Sequence, residues 1–288
     1  VLQIVALVVT RNFILFLALK IICTVLTNIL ISLKADRLYP YLREPCREQL
    51  PQEERREIFK NIRAMMMHKL GLVAVNNTDN LLISAFVGVA SVGIYSNYYL
   101  LIGSVRQVLD QVFQGITASV GNLGVMGGKE RMRKVFETAF FIGQWMYGFA
   151  AICLYELLNP FVELAFGGNY VFERRIVLIL CINFFVTGTR RATLTFRDSM
   201  GLFWHDRYKA LAEAGCNLVF SILLVLQFDV FGVFLGTLLS ALVTSVWIEP
   251  FVLYRKGLKA PVLPFFGKYA CYTLFVAVAW GITDRLCG

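Results

Sequence analysis

Apolar residues run along this chain in stretches too long and too numerous for a water-soluble core. Crossing the roughly 30 Å hydrocarbon layer of a bilayer takes about 20 residues at helical rise. Eight stretches meet that length, at 13–33, 63–88, 93–120, 134–158, 172–195, 208–228, 231–254 and 266–284, with a shorter apolar stub at 1–9. Breakers separate them: Thr10-Arg11-Asn12, Gly88 to Gly93, Gly127-Gly128, Asn159-Pro160, Gly167-Gly168 and Pro261. The pattern predicts an all-α, polytopic membrane helix bundle in which the stub and the first full span form an antiparallel pair. The chain opens inside an apolar run without a basic leader or a small-residue cleavage site. It therefore reads as beginning within a membrane segment, not with a signal peptide.

Composition agrees. Hydrophobic residues make up 58% of the 288 positions and charged residues only 16%, against about 45–50% and 25% in soluble domains. The mean hydropathy is +0.65. Basic residues are unevenly shared among the loops. Segments 34–63, 129–134, 190–209 and 255–268 hold twenty-one Lys and Arg, and the alternate loops hold four. Positive loops stay in the cytoplasm, so the net charge of +9 reports topology and requires no nucleic-acid partner. The seven cysteines show no Cys-x-x-Cys spacing and read as small apolar fillers. In the longest cytoplasmic loop, Ile58, Phe59 and Ile62 share one side of a charged run at 51–62. Two readings fit that run equally: a short helix lying on the membrane surface and leading into the next span, or a solvated connector.

Charged groups at mid-bilayer cost about 2.5–3.5 kcal/mol each and usually face a cavity or a partner. Lys69, Asn76, Asn80 and Ser84 repeat at helical spacing in span 63–88, around the polar run Asn76-Asn77-Thr78-Asp79-Asn80. Tyr99, Arg106, Asp110, Gln114 and Thr117 form a second stripe, and Glu213, Asn217 and Ser221 a third. Lys20 adds a cation in the first full span. Helical rise puts Lys20 and Asp79 about 4–5 Å to the outer side of the midplane, Arg106 near it, and Lys69 and Asp110 towards the cytoplasm. Asp79 is thus expected to meet Lys20 or Arg106, and Asp110 to meet Lys69 or Arg106. A cavity role is expected for Arg106 and Asp79, helix–helix hydrogen bonding for the Asn and Ser positions, and snorkelling for Lys69. Gly232, Gly236, Ser240 and Thr244 form a stripe of small residues for close helix packing, and Pro250 is expected to kink the helix end.

Catalytic motifs are missing from the sequence. GNLGVMGGKE (121–130) lacks the first Gly and the final Ser or Thr of a phosphate-binding loop. Asn76-Asn77-Thr78 matches a glycosylation sequon but lies mid-span. No cluster has metal-ligand spacing. A membrane glycosyltransferase needs catalytic residues on a sizeable outer loop, and the longest, at about 159–171, offers only Glu163. The chain reads as a non-enzyme with no bound cofactor.

The blocks TDNLLISAFVGVASVGIYSNYYLL (78–101), LTFRDSMGLFWHDRYKALAEAGCNLVFSILL (194–224) and GVFLGTLLSALVTSVWIEPFVLY (232–254) resemble polysaccharide-export, oligosaccharide repeat-unit flippases of the MOP superfamily. A looser relation extends to MATE drug exporters and to the lipid II flippase. The resemblance implies two six-helix lobes around a central cavity. Residues 1–33 would then be the last helices of a truncated first lobe, 34–62 a cytoplasmic inter-lobe loop, 63–254 the second lobe, and 255–288 a basic loop with one extra helix. It further implies a multi-pass protein of the bacterial cytoplasmic membrane. Its substrate would be an undecaprenyl-pyrophosphate-linked oligosaccharide, moved outward for capsule, exopolysaccharide or O-antigen synthesis. Membrane lipids, and polymerases or glycosyltransferases of the same pathway, would be its neighbours. On that reading Arg106, Lys20 and Lys69 supply positive field to the pyrophosphate, while Asn76, Asn80 and Asn217 bond sugar hydroxyls. The alternative is a MATE-like exporter of drugs or other small molecules, coupled to an H⁺ or Na⁺ gradient through Asp79 and Asp110.

Overall fold

A computed structural model describes residue 10 and residues 12–43, 51–126 and 128–287. The stub at 1–9 lies outside the described residues. All regular structure among the described residues is helical: α1 (Phe13–Leu38), α2 (Gln52–Leu82), α3 (Val89–Met126), α4 (Lys129–Phe166), α5 (Arg174–Thr189), α6 (Arg191–Ser199), α7 (Lys209–Val243), α8 (Ser245–Val252) and α9 (Leu263–Cys287). The chain divides into two units, Val1–Arg55 and Arg56–Gly288. In the first, α1 is a single helix whose Asn12 side chain caps the free N–H groups of Ile14 and Leu15.

Among the described residues, six helical stretches are long and apolar enough to cross a membrane: Ile14–Leu38, Gln52–Val87, Lys129–Phe166, Arg174–Ser199, Lys209–Leu258 and Leu263–Leu286. The eight predicted stretches map onto the helices with two differences from this set. First, α3 is 38 residues long but falls outside it, because the polar stripe through Arg106 and Asp110 dilutes its hydropathy. Second, Lys209–Leu258 is two legs. Asp229, at φ 49° and ψ −134°, breaks the helical path. The legs then run antiparallel, Ser221 meeting Val233, Asn217 meeting Thr237 and Glu213 meeting Ser245.

Three boundaries depart from expectation. The charged run at 51–62 is helical from Gln52 onward and so is not a loose connector. It forms the first turns of α2, which continues unbroken into the predicted span. No Gly or Pro interrupts residues 52–70, and Glu53 and Glu54 favour the positive N-terminal end of the helix dipole. Asn159-Pro160 does not end α4, which runs through Pro160 to Phe166. The ring needs only one lost N–H bond there, and Asn159 turns its amide to its neighbours: it accepts from Tyr98 at 2.6 Å and donates to the Phe172 carbonyl at 3.0 Å. The helix stops instead at Gly167, whose φ of 98° suits glycine alone. The expected break after span 63–88 is present as a π-helical turn at Ile83–Val87 closed by Gly88 at φ 122°, but Gly93 lies inside α3.

The second unit is centred on aromatic side chains. Phe136 meets Phe196 and Tyr254, and Phe140 meets Phe265, with ring centroids 4.7–5.7 Å apart, joining α4, α6 and α9. Small residues permit the closest approaches. A methyl at Gly71 would fall 2.5 Å from Ala210 of α7, and one at Gly236 only 2.4 Å from Ser221. The small-residue stripe therefore does pack, and its partner is the first leg of its own hairpin. Pro250 sits in α8, which the chain enters through a break at Thr244 and leaves through a π-helical turn at Leu253–Leu258. Large apolar side chains such as Leu157, Leu164, Leu226 and Leu274 face outward, as a lipid-facing surface requires.

Candidate functional site

A polar cavity of about 360 Å³ opens among α2, α3, α5 and the second leg of α7. Two grooves of about 560 and 570 Å³ flank α4 on the outside, but apolar side chains line them almost throughout. In the polar cavity, α3 contributes Tyr99, Arg106, Gln107, Asp110 and Gln114. With Gly103, the positions 99, 103, 106 or 107, 110 and 114 follow one another at three to four residues and so share one helical face. Across from them stand Asp79, Asn183, Thr187 and Thr237.

Arg106 reaches over the Phe184 ring, 5.6 Å from its centroid, and its Nη2 donates to Thr187 Oγ1 at 2.9 Å. Its Nε is buried without a partner. Asp79 is 8% exposed, and its Oδ1 accepts from Thr237 Oγ1 at 2.9 Å. Asn217, fully buried in the first leg of α7, donates to the same Thr237 oxygen at 2.8 Å. A relay Asn217–Thr237–Asp79 thus ties both legs of the hairpin to α2.

The expected charge pairs are rearranged. Asp110 pairs with Arg191 Nε at 3.0 Å and accepts from the Tyr147 hydroxyl, not from Lys69 or Arg106. The i, i+4 spacing permits an Arg106–Asp110 contact on α3, but the helix kink at Arg190 brings Arg191 closer. Asp79 and Arg106 share the cavity, yet among the described residues they form no ion pair with each other. Lys20 lies exposed on α1, in the other unit. Lys69 is exposed on α2 and does not line the cavity. Asn80 lines a neighbouring recess of about 460 Å³ with Ser96 and Tyr99. The stripe through Lys69 and Asn80 therefore lies beside the cavity face of α2, which is carried by Val75 and Asp79. Asn76 is helical, but its side chain lies outside the described residues.

Sequence reasoning missed the far wall, Asn183, Thr187 and Thr237. Asn183 and Thr187 stand four apart in an apolar run, which is a readable signal; Thr237 is one position from the small-residue stripe and carries none. It also missed a buried charge network formed by the helix ends at the basic-loop side. Arg190 grips Glu249 through Nε at 3.0 Å and Nη2 at 2.7 Å, and reaches Glu213 through Nη1 at 3.1 Å. Lys209 donates to Glu249 and Ser245 to Glu213. Beyond it, Arg197 bonds Asp206 at 2.7 Å, and His68 Nε2 lies 3.2 Å from the same carboxylate. Burial by itself would raise the Asp206 carboxyl. The nearby His68 imidazole and the Arg197 charge outweigh it and hold the group below its ordinary range.

Among the described residues no group of three or more His, Cys, Asp or Glu is placed to hold a metal ion. The chain matches no family model, no curated protein and no solved structure.

Proposed function

We propose that this chain forms part of a multi-pass flippase of the bacterial cytoplasmic membrane. Its cargo is an undecaprenyl-pyrophosphate-linked oligosaccharide, carried from the inner to the outer leaflet. The two-lobed MOP architecture, with 63–254 as the second lobe, belongs to this proposal. The observation that carries it is the cavity lined by polar side chains among long apolar helices, with Arg106 holding an unpartnered Nε inside it. Lipid tails cannot solvate a pyrophosphate or a sugar, so its passage needs a lined, cationic path. Arg106 supplies the positive charge, while Gln107, Gln114, Asn183 and Tyr99 offer donors, acceptors and a ring face to hydroxyl-rich groups. The proposal further holds that no ATP is consumed directly. An H⁺ or Na⁺ gradient, the membrane potential, or consumption of the product outside drives the cycle.

A specific observation also favours a cation-coupled exporter as a second reading. Asp79 is buried in the same cavity with a hydroxyl as its hydrogen-bonding partner and no ion pair among the described residues. Such a carboxylate suits proton or cation exchange, whereas Asp110 is already held by Arg191 and Tyr147.

The deciding experiment places the protein in sealed vesicles and measures transfer of a polyprenyl-pyrophosphate oligosaccharide between leaflets. Arg106→Gln is expected to reduce transfer at least ten-fold with expression unchanged. Full transfer by the variant would remove Arg106 from the path. No transfer by the wild type, together with proton-dependent efflux of a cationic dye that is lost in Asp79→Asn, would replace the flippase with the exporter.

A further inference from the structure

The turn between α6 and α7 is held rigidly from beneath. Gly201 takes a left-handed φ of 66° to start it, Arg197 and His68 hold Asp206, and His68 Nε2 lies 3.3 Å from the Phe203 carbonyl oxygen. On its outer side cations gather around two rings. The Arg207 guanidinium lies 3.9 Å from the Trp204 ring centroid and 4.5 Å from that of Tyr208. Its Nη1 donates to the Trp204 carbonyl at 2.9 Å, and its Nε is buried without a partner. From α2, Lys60 reaches the Trp204 ring at 4.8 Å. Hydrogen bonding and charge from Arg207, with a smaller pull from Arg63, hold the Tyr208 phenol below its ordinary pKa.

Two cations thus lie against two aromatic rings, with Arg63 near enough for its charge to act on Tyr208, and among the described residues none of the three forms an ion pair with a carboxylate. The acids of this turn are already used, since Arg197 takes both Asp198 and Asp206. Like charges so placed repel one another until an anion joins them. A guanidinium fixed by stacking holds its charge in place for a phosphate without further ordering. Trp and Tyr sit at headgroup depth, and the loop is among the strongly basic ones. We propose that Arg207, Lys60 and Arg63 seat the phosphate of an anionic phospholipid headgroup of the cytoplasmic leaflet. This site lies on a different part of the molecule from the cavity and does not depend on what the cavity transports.

The test uses the purified chain in detergent. Thermal unfolding is followed while phosphatidylglycerol, phosphatidylcholine, a polyprenyl diphosphate or inorganic phosphate is titrated, and retained lipid is counted by native mass spectrometry. Phosphatidylglycerol is expected to bind and raise the unfolding temperature where phosphatidylcholine does not. Lys60→Gln combined with Arg63→Gln, both exposed and outside the internal bonds of the turn, is expected to weaken that binding about 25-fold, roughly five-fold per cation at an anionic surface. Arg207→Lys keeps the charge but loses the fork, and should bind between wild type and Arg207→Gln. If Arg207→Gln does not fold, the Lys60 and Arg63 pair carries the test. Equal binding of phosphatidylcholine, or an affinity unchanged in the double variant, overturns the site. An equal response to inorganic phosphate alone, or binding of the diphosphate without phosphatidylglycerol, overturns the phospholipid as its ligand.

Discussion

Glu249 is fully buried, and two cations close on it from different helices, Arg190 and Lys209. A buried ion set of this kind contributes little beyond well-packed apolar residues, but removing one member leaves its partners charged and desolvated. Glu249→Gln is therefore expected to destabilise the fold by about 3–5 kcal/mol, read as a lower unfolding temperature in detergent, whereas the exposed Glu130→Gln should change nothing measurable. Asp206 allows a test by pH. Its carboxyl is held below the unfolded value, so its contribution is fully present above about pH 4 and fades as pH falls through the depressed folded value. Asp206→Asn should accordingly be less stable than wild type at pH 7. The difference should shrink below pH 4, and a gap that stays constant down to pH 2 would contradict the assignment.

The hairpin of α7 is the element on which the cavity depends most. Its legs approach closely enough that a methyl at Gly232 would fall 2.1 Å from the Leu224 carbonyl oxygen, and one at Gly236 would meet Ser221. Gly236→Val is expected to separate the legs, destabilise by about 1–3 kcal/mol and loosen the Asn217–Thr237–Asp79 relay. Gly215→Ala, on the same helix with open space around it, should be neutral or slightly stabilising. Thermal unfolding of the two variants side by side checks the claim. Local signals announced the two legs, because a stripe of small residues four apart means close packing wherever it occurs. They did not announce the continuity of α2 or α4. In α2 the change from polar to apolar composition looks like an element boundary, yet helix propensity stays high across it. In α4 Pro160 looks like a stop, but one missing N–H is tolerable when neighbouring side chains take up nearby polar groups.

At the scale of the molecule, the proposed function requires that the cavity admit water and that the outer surface exclude it. In a cysteine-free background, Gln114→Cys, on the cavity wall, is expected to react with a water-soluble maleimide. Leu157→Cys, on an exposed apolar face of α4, should stay unlabelled in membranes. Equal labelling of the two would mean that the cavity is not a water path. Sidedness follows from the same chemistry applied to loops. Lys134→Cys should react only when the cytoplasmic face is open to reagent, and Glu173→Cys only from the opposite face.

The amino-acid sequence by itself determined that this protein is helical, that its helices include stretches long and apolar enough to cross a membrane, and where those stretches fall. Those properties follow from the length and polarity of contiguous runs, which the bilayer reads one segment at a time. It also singled out Arg106 and Asp79, because an isolated charge in an apolar run is costly wherever the run ends up. Which partners those charges find was decided only by the tertiary structure. Helical spacing links Arg106 to Asp110, but the bend at Arg190 delivers Arg191 to Asp110 and leaves Arg106 to Thr187. Residues about 80 to 160 positions apart, such as Asp79 and Thr237 or Arg106 and Thr187, meet because the helix crossings bring them together, and no local pattern encodes a crossing.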